Sequence, residues 1–256
     1  KRYYNNERLQ KFYRWLFGLS VNTAKEMAII GDMLPTQTVN NDLLHRRVGN
    51  FDAEAAAYVA WFHAGVPAKG HILSYLLPKQ DLPPPKTPES DIYRNGGAFF
   101  REKPDEPKGL HAVLYNIMSQ DEWHTHNEVN GLALSGYGNR LLVNGGRLGA
   151  PTRPAPMNNT LTLDGKDHDA KLGDGITEGF TTDLLDYASG AAGPAWRSGQ
   201  HARSLLLVHA ADGAQAYALL WDEATADAGS EVSSYFHPAN ESQVAVVAAD
   251  EVYDAP

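Results

Sequence analysis

Residues 124–146 of the chain read His-Thr-His-Asn-Glu-Val-Asn-Gly-Leu-Ala-Leu-Ser-Gly-Tyr-Gly-Asn-Arg-Leu-Leu-Val-Asn-Gly-Gly. A pair of histidines one residue apart opens the stretch, and two apolar segments, 131–135 and 140–143, follow with a Gly-Asn turn between them. Apolar segments of this length, bounded by Gly and Asn, are typical of β-strands rather than helices. The stretch therefore predicts a loop that carries the histidines and leads into a β-hairpin.

Short segments of the same kind recur throughout residues 96–256. Gly, Asp and Asn turns separate them, and no long helical pattern lies between them. Many short strands without such helices indicate an antiparallel β-sandwich or barrel. Further strands are predicted at 98–101, 112–118, 159–163, 204–209, 215–221, 231–236 and 243–247.

Residues 1–77 have a helical period instead. A first helix is predicted by an apolar stripe at i, i+3, i+4 and i+7, formed by Leu9, Phe12, Tyr13 and Leu16. Thr23 and Glu26 have the spacing of a capping box, which predicts a second, short helix that ends at Gly31. An Ala-rich segment predicts a third helix from about residue 51 to residue 64.

Residues 78–95 separate the two regions and contain five prolines. Proline fixes φ and lacks a backbone donor, so it stiffens the chain and prevents helix or central strand. We therefore expect a linker here, preceded by the end of a longer helical array. The first residues, Lys-Arg-Tyr-Tyr, contain neither an initiator Met nor an apolar signal-peptide core. The expectation is that the chain is the back part of a larger protein.

The chain has 256 residues, a formal net charge of −9 and no cysteine. Without cysteine there is no disulfide, thiolate metal site or Cys nucleophile. The negative charge argues against a general nucleic-acid binder, and no apolar run approaches the roughly 20 residues that cross a bilayer. We expect neither nucleic acid nor a membrane as a partner. A local cationic cleft for an acidic polymer could still be built from Arg101, Arg140, Arg147 and Arg153.

His124 and His126 lie two residues apart, so in an extended segment both side chains face the same way. Imidazole transfers protons near neutral pH and is the commonest metal ligand, which makes the pair a candidate for catalysis or metal binding. The pattern also fits two histidines with surface or packing roles, which are more frequent. Trp123, next to His124, fits either stacking on a sugar ring or packing at a rim.

The order of motifs that begins at His124 resembles the C-terminal β-sandwich of the heparinase II/III-like polysaccharide lyases. That family has His-x-His-x-Asp, an apolar strand, a Gly turn, a strand ending in Asp-x-Gly, and then His-Asn-Thr before a strand ending in Asp-Gly. The matching segments here are His124-Thr125-His126-Asn127-Glu128, 131–134, Gly138-Asn139, 141–143 with Asn144-Gly145-Gly146, and Asn158-Asn159-Thr160 with Asp164-Gly165. The resemblance covers about residues 93–236. It implies an α+β multidomain fold in which the C-terminal part of an α/α toroid precedes an antiparallel β-sandwich.

The resemblance also implies roles for individual residues. His124 matches the catalytic histidine that reaches into the cleft under the toroid, and His126 matches a zinc ligand. The other two zinc ligands, Asp and His in the family, fall on Asn144 and Asn158. Neutral amides hold zinc poorly, so we expect either no metal or a weak cation bound through oxygen. The expected substrate-binding residues are Trp123, Arg147 and Arg153.

The implied activity is β-elimination at a uronic acid of an acidic polysaccharide, such as alginate or a glycosaminoglycan. In the family a Tyr, and usually Asn or His, from the toroid complete the active site, and these would precede Lys1. We therefore expect the missing N-terminal helical domain as a partner, no activity of this chain by itself, and a secreted or periplasmic bacterial protein. The alternative is a non-catalytic carbohydrate-binding or structural protein that keeps the architecture.

Overall fold

The computed structural model describes residues 6–21, 25–34, 42–64, 72, 76–106, 108–119, 124–147 and 149–239. The α-helices of this part are α1 (Glu7–Gly18), α2 (Asp42–His45) and α3 (Ala53–His63), and short 3-10 helices lie at Val48–Asn50, Ala150–Thr152, Ala155–Met157 and Gly193–Ala195. The strands are β1 (Ser20–Val21), β2 (Glu26–Met27), β3 (Asp91–Tyr93), β4 (Gly97–Arg101), β5 (His111–Tyr115), β6 (Gly131–Gly136), β7 (Asn139–Leu142), β8 (Leu161–Leu163), β9 (Ile176–Thr181), β10 (Leu185–Ala191), β11 (Gln200–Val208), β12 (Tyr217–Thr225) and β13 (Val232–Ser234).

The two longer helices begin where the sequence supplies a capping side chain. The Asn6 side-chain oxygen accepts a hydrogen bond from the Arg8 backbone N–H at the start of α1. The Asp52 carboxylate accepts one from the Ala55 backbone N–H at the start of α3. Such caps satisfy backbone donors that have no partner inside the helix. The first and third predicted helices are confirmed, with ends close to those expected.

The short helix predicted to end at Gly31 is wrong, and the antiparallel hairpin β1–β2 takes its place. Lys25, in the turn of the hairpin, has a φ of +59°, a left-handed conformation that a right-handed helix does not accommodate. Its ammonium group donates to the carbonyls of Trp61 and Ala64 at the end of α3. Contacts with α3 therefore fix the turn and override the local helix signal. Thr23, the predicted cap, lies outside the described residues.

A five-stranded antiparallel sheet, ordered β3-β4-β5-β6-β7, forms the centre of the molecule. Its strand β4 is buried on both faces, with Phe99 in one apolar cluster and Phe100 in another. The cluster of Phe99 contains Phe17 of α1 and Phe62 of α3, so the helices cover this face. The cluster of Phe100 contains Leu205 of β11, so a second sheet covers the other face. Burial on both sides explains why apolar residues follow one another without alternation at 98–100 in β4 and at 112–115 in β5.

The second sheet has four antiparallel strands in the order β12-β11-β10-β9. β9 and β10 are absent from the sequence-based prediction. β10 consists mostly of residues with low β-propensity, Leu-Asp-Tyr-Ala-Ser-Gly-Ala, and it is a strand because β9 and β11 pair with it on both sides. A further antiparallel pair joins β8 and β13.

The predicted strands within residues 98–236 are confirmed with shifted ends, and the strand predicted at 243–247 lies outside the described residues. Antiparallel sheets thus dominate this fold, as expected. Residues 78–90 of the predicted linker contain neither helix nor strand, and residues 91–93 form the edge strand β3. The toroid and the division into domains remain predictions. None of the described helices has the length and apolarity that crossing a bilayer requires.

A buried arginine, Arg203 on β11, connects the two large sheets. Its Nε and Nη2 atoms donate to the two carboxylate oxygens of Asp222 on β12, at 2.8 and 2.9 Å. Its Nη1 atom donates to the backbone carbonyls of Asn130 and Asn159, at 2.9 and 2.7 Å, just before β6 and β8. These acceptors replace the water that the buried guanidinium has lost.

We predict that Arg203→Met lowers the free energy of unfolding by about 3–5 kcal/mol, because it leaves a mostly buried Asp222 without its opposite charge. Denaturant unfolding of the purified chain measures this loss. Arg197→Met is the matched control, since Arg197 also pairs with an aspartate, Asp169, but their side chains are 41 % and 42 % exposed. Its expected loss is below about 1 kcal/mol. Equal losses for the two variants would contradict the prediction.

Candidate functional site

The two histidines of the His-x-His motif lie on the loop before β6 and contact the same carboxylate. His124 Nδ1 lies 3.0 Å from Asp32 Oδ2, and His126 Nε2 lies 2.9 Å from Asp32 Oδ1. The His124 side chain is 63 % exposed, whereas the His126 side chain is fully buried. His124 is therefore open to a ligand, while His126 is enclosed by protein.

Asp32 comes from the N-terminal region and is held by a tight turn. Its backbone N–H donates to the His124 carbonyl at 3.0 Å. The preceding Gly31 has a φ of +53°, and a Cβ at this position would lie 2.5 Å from the same carbonyl. Only glycine combines this backbone conformation with so close an approach. Gly31 therefore allows the Asp32 carboxylate to lie directly against the histidine loop.

Glu128 supports the same turn. Its side chain is buried, and its Oε1 atom accepts the Gly31 backbone N–H at 2.5 Å. Burial raises the pKa of Glu128 to about 8, although this hydrogen bond acts in the opposite direction. The carboxyl group is therefore largely protonated near neutral pH. Glu128 holds the backbone that carries Asp32.

Asp32 is ionised and His126 is neutral. Hydrogen bonds from His126 and His124, together with the Arg153 guanidinium, lower the pKa of Asp32 to about 2, although burial opposes this. Burial lowers the pKa of His126 despite the carboxylate beside it. His126 therefore donates its Nε2–H to Asp32 as a neutral imidazole. In a neutral His124 the same carboxylate favours the Nδ1–H tautomer, in which Nε2 carries the lone pair.

Two of the four arginines considered for a cationic cleft lie at this site. Arg153 Nη2 is 3.2 Å from Asp32 Oδ2, and the Arg153 side chain is 39 % exposed. Arg147 is exposed, and its backbone N–H donates to the Met33 carbonyl, directly after Asp32. The Arg153 side chain thus contacts the Asp32 carboxylate, and the Arg147 backbone contacts the residue that follows Asp32.

The other two arginines do not belong to the site, which corrects the expectation for them. Arg101 is buried and donates to the Gly18 carbonyl at the end of α1, at 2.8 Å. Arg140 donates to the Met27 carbonyl at 2.8 Å and pairs with Glu26 at 3.3 Å. Both cations instead fasten the N-terminal segment to the five-stranded sheet.

Asn144 and Asn158 form hydrogen bonds with the backbone. The Asn144 amide donates to the Ile29 carbonyl at 3.0 Å, and its side-chain oxygen accepts the Asn159 backbone N–H at 2.8 Å. The Asn158 side-chain oxygen accepts the Gly145 backbone N–H at 3.2 Å. Asn144 therefore connects the segment before Gly31 to the segment before β8, and Asn158 connects the latter to Gly145.

The residues that match the zinc-ligand positions of the resemblance do not fit that metal, in line with the replacement of two ligands by neutral amides. His126 Nε2 faces Asp32, and the side-chain oxygens of Asn144 and Asn158 are occupied by backbone N–H groups. Zinc sites in proteins use imidazole, thiolate or carboxylate ligands. Within the described ranges, no group of three or more His, Cys, Asp or Glu side chains is arranged to hold a metal ion.

Asp32 is the site residue that the sequence does not reveal. Gly31-Asp32 fits a helix end, and His124 follows 92 positions later. The available signal is the apolar run Ala28-Ile29-Ile30 directly before Gly31, which is buried and indicates a segment that turns inside the core. Trp123, the expected stacking residue, lies outside the described residues.

Comparison with known proteins found similarity in structure alone: no protein-family model and no curated protein matches the chain. The crystal structure of heparan sulfate lyase HepC from Pedobacter heparinus has a TM-score of 0.54 at 17 % identity, covering 75 % of this chain and 29 % of the lyase. Heparinase III has a TM-score of 0.56 at 12 % identity, covering 78 % and 32 %. The BT4657 gene product, also a heparinase III, has a TM-score of 0.54 at 13 % identity, covering 74 % and 28 %.

The chain is therefore similar to these lyases in fold, and it spans less than a third of the length of each. At such low identity the likeness concerns the fold and not the chemistry. The heparinase-like fold implied by the order of motifs is supported at this level.

We predict that Glu128→Gln removes a pH dependence of stability. The folded protein keeps a proton on Glu128 up to about pH 8, whereas an unperturbed carboxyl group releases it near 4.5. The stability contributed by this proton is complete below the lower pKa and is lost as the pH rises to the higher one. The free energy of unfolding of E128Q minus that of the wild type should therefore rise between about pH 5 and 8, by at most about 1.4 kcal/mol per pH unit.

Denaturant unfolding at a series of pH values measures this difference. Glu106→Gln is the control, because the Glu106 side chain is 60 % exposed and loses little hydration on folding; its difference should stay flat. A flat difference for E128Q as well would mean that Glu128 is ionised in the folded protein.

Proposed function

We propose that the chain is a fragment of a polysaccharide lyase that cleaves a uronate-containing acidic polysaccharide by β-elimination, with His124 as a catalytic residue. The observation that carries this proposal is an exposed imidazole whose Nδ1 atom is held at 3.0 Å by the ionised Asp32. The likeness in fold to heparinases supports an acidic polysaccharide as the substrate class.

The reaction removes the proton from the carbon that bears the uronate carboxylate. The electron pair of that C–H bond forms a carbon–carbon double bond with the neighbouring carbon, and the C–O bond of that carbon to the leaving sugar breaks. A base takes the proton, an acid protonates the leaving oxygen, and a cation or hydrogen-bond donor neutralises the carboxylate. His124 suits proton transfer, because its orientation is fixed through Nδ1 while Nε2 stays available.

Arg147 and Arg153 are proposed to bind the uronate carboxylate. A guanidinium group can donate two parallel hydrogen bonds to a carboxylate, which neutralises and orients it. Arg147 is exposed, and Arg153 remains 39 % exposed while it contacts Asp32. Both arginines could therefore reach a ligand that lies beside His124.

The rest of the active site is proposed to come from the helical domain that the resemblance places before Lys1. The acidic polysaccharide would bind between that domain and the histidine loop, and the chain without it would not turn over substrate. A polymer of this kind is met outside the cytoplasm, so we propose a secreted or periplasmic location.

The alternative is a non-catalytic protein that binds carbohydrate or has a structural role. One observation favours it: Asn144 and Asn158 serve the backbone and are not arranged as metal ligands. The exposed His124 held by Asp32 favours the lyase, because a packing role does not require an imidazole that is 63 % exposed. Assays of product formation and of binding separate the two functions.

We predict that His124→Ala, made in the parent protein with its helical domain, lowers kcat/KM on its uronate polymer by at least about 100-fold, because a proton-transfer group is lost. Ultraviolet absorbance of the unsaturated product measures turnover on a panel that includes alginate and heparan sulfate. The 256-residue chain alone should give no product on the same panel.

His209→Ala is the matched control. His209 also pairs with a carboxylate, Asp186, at 3.0 Å, but it follows β11 at the four-stranded sheet. Its replacement should leave turnover nearly unchanged. Full activity of His124→Ala would exclude a catalytic role for that residue. Carbohydrate binding without product on any polymer by the wild-type parent would support the non-catalytic alternative.

A further inference from the structure

A cleft of about 680 Å³ lies between α1 and the five-stranded sheet. One wall consists of α1 residues three or four positions apart, which therefore share a face of the helix, namely Arg8, Lys11, Phe12 and Trp15. The opposite wall consists of Tyr93, Asn95, Tyr115, Ile117 and Ser119. Thr125 also lines the cleft, so the cleft extends to the segment that carries His124 and His126.

The α1 wall presents a fixed aromatic surface. The rings of Phe12 and Trp15 are stacked, with centroids 6.1 Å apart and planes inclined by 23°. Trp15 is held in place, because its Nε1–H donates to the Gly96 carbonyl at 3.0 Å and its ring meets Phe99 edge-on. Phe12 is 50 % exposed. A pyranose ring has a face of C–H groups that packs flat on such a surface, while its hydroxyls bind polar groups at the edges.

Among the described residues, the rim of the cleft on its α1 side carries the cations of Arg8 and Lys11 and the carboxylate of Glu7. Lys11 pairs with Glu7 at 2.7 Å, and their side chains are 62 % and 81 % exposed. An exposed ion pair of this kind contributes little in water, so the Lys11 ammonium can exchange Glu7 for an anion of a ligand. Arg8 is exposed on the same face. The rim therefore favours a negatively charged ligand, although the whole chain is acidic.

We propose that this cleft is a binding subsite for a pyranose ring that bears a sulfate or carboxylate group. The sugar ring stacks on Phe12 and Trp15, and its anionic group binds Arg8 and Lys11. The identity of the ligand as an acidic glycan rests on the proposed function, but binding here requires no catalysis. Continuity with the His124 loop and the cationic rim favour an acidic glycan over an apolar protein segment as the occupant.

Calorimetric titration of the chain with a heparan sulfate tetrasaccharide tests the proposal, and neutral cellotetraose is the comparison. Phe12→Ala is expected to weaken tetrasaccharide binding roughly tenfold, because the stacking surface is lost. Trp221→Ala is the matched control, since Trp221 is 41 % exposed on β12, outside the cleft, and it should leave the affinity unchanged. Circular dichroism checks that each variant is folded.

Charge variants test the rim separately. The double variant Arg8→Gln, Lys11→Gln should weaken tetrasaccharide binding at least fivefold at low salt, and this loss should shrink as salt screens the charges. Glu7→Gln should tighten it about twofold or more, because a competing carboxylate is removed, with no change for cellotetraose. Equal affinities of Phe12→Ala and Trp221→Ala would overturn the proposal, as would an absence of tetrasaccharide binding by the wild type.

The results also separate this proposal from the proposed function. Loss of turnover in His124→Ala, together with unchanged glycan binding in Phe12→Ala, would overturn the subsite and leave the lyase standing. Weakened binding in Phe12→Ala, in a parent that forms no unsaturated product, would support the subsite and exclude the lyase. Loss of association with the helical domain in Phe12→Ala, with glycan binding intact, would make the cleft a protein contact and overturn the proposal.

Discussion

The candidate site depends on one carboxylate. Asp32, whose side chain is only 10 % exposed, accepts hydrogen bonds from His124 and His126 and contacts the Arg153 guanidinium. A buried charge needs such donors to replace water, and the donors in turn lower the pKa of Asp32 to about 2. The dependence is mutual, because a shift of the histidine loop would leave an enclosed charge unpaired. The orientation of the exposed His124 ring is therefore a consequence of how Asp32 is buried.

The fold brings Asp32 to this position through a sheet that is buried on both faces. The helices α1 and α3 pack on one face, around Phe99, and the hairpin β1–β2 follows α1 directly. From the hairpin, residues 28–30 run into the core, and the chain turns at Gly31 beneath the His124 carbonyl. Arg101 of β4 is buried and donates a hydrogen bond to the Gly18 carbonyl at the end of α1, where this segment begins. The helical region thus shares a core with the sheet. It also supplies Asp32, the negative partner of Arg153 at the site.

The sequence predicts those features that depend on neighbouring residues. The helices α1 and α3 and the apolar strands follow from periodicity and caps, and His124 and His126 stand out by their spacing. The hairpin around Lys25 and the strand β10 are set by partners far along the chain, namely the end of α3 and the strands β9 and β11. The role of Asp32 is not predicted for the same reason, since no residue near it in the sequence indicates a contact with an imidazole 92 residues away. Long-range contacts override local preference at these places.

Asn144 and Asn158 connect segments near the site through hydrogen bonds of their side-chain amides. An ionised carboxylate can only accept hydrogen bonds, whereas an amide both donates and accepts. Asn144 uses both abilities, because it donates to the Ile29 carbonyl, two residues before Gly31, and accepts the Asn159 backbone N–H. Asn144 thereby ties the segment that leads to Asp32 to the segment that leads into β8. Asp32 orients the His124 ring, and the Asn144 contacts support the segment that carries Asp32.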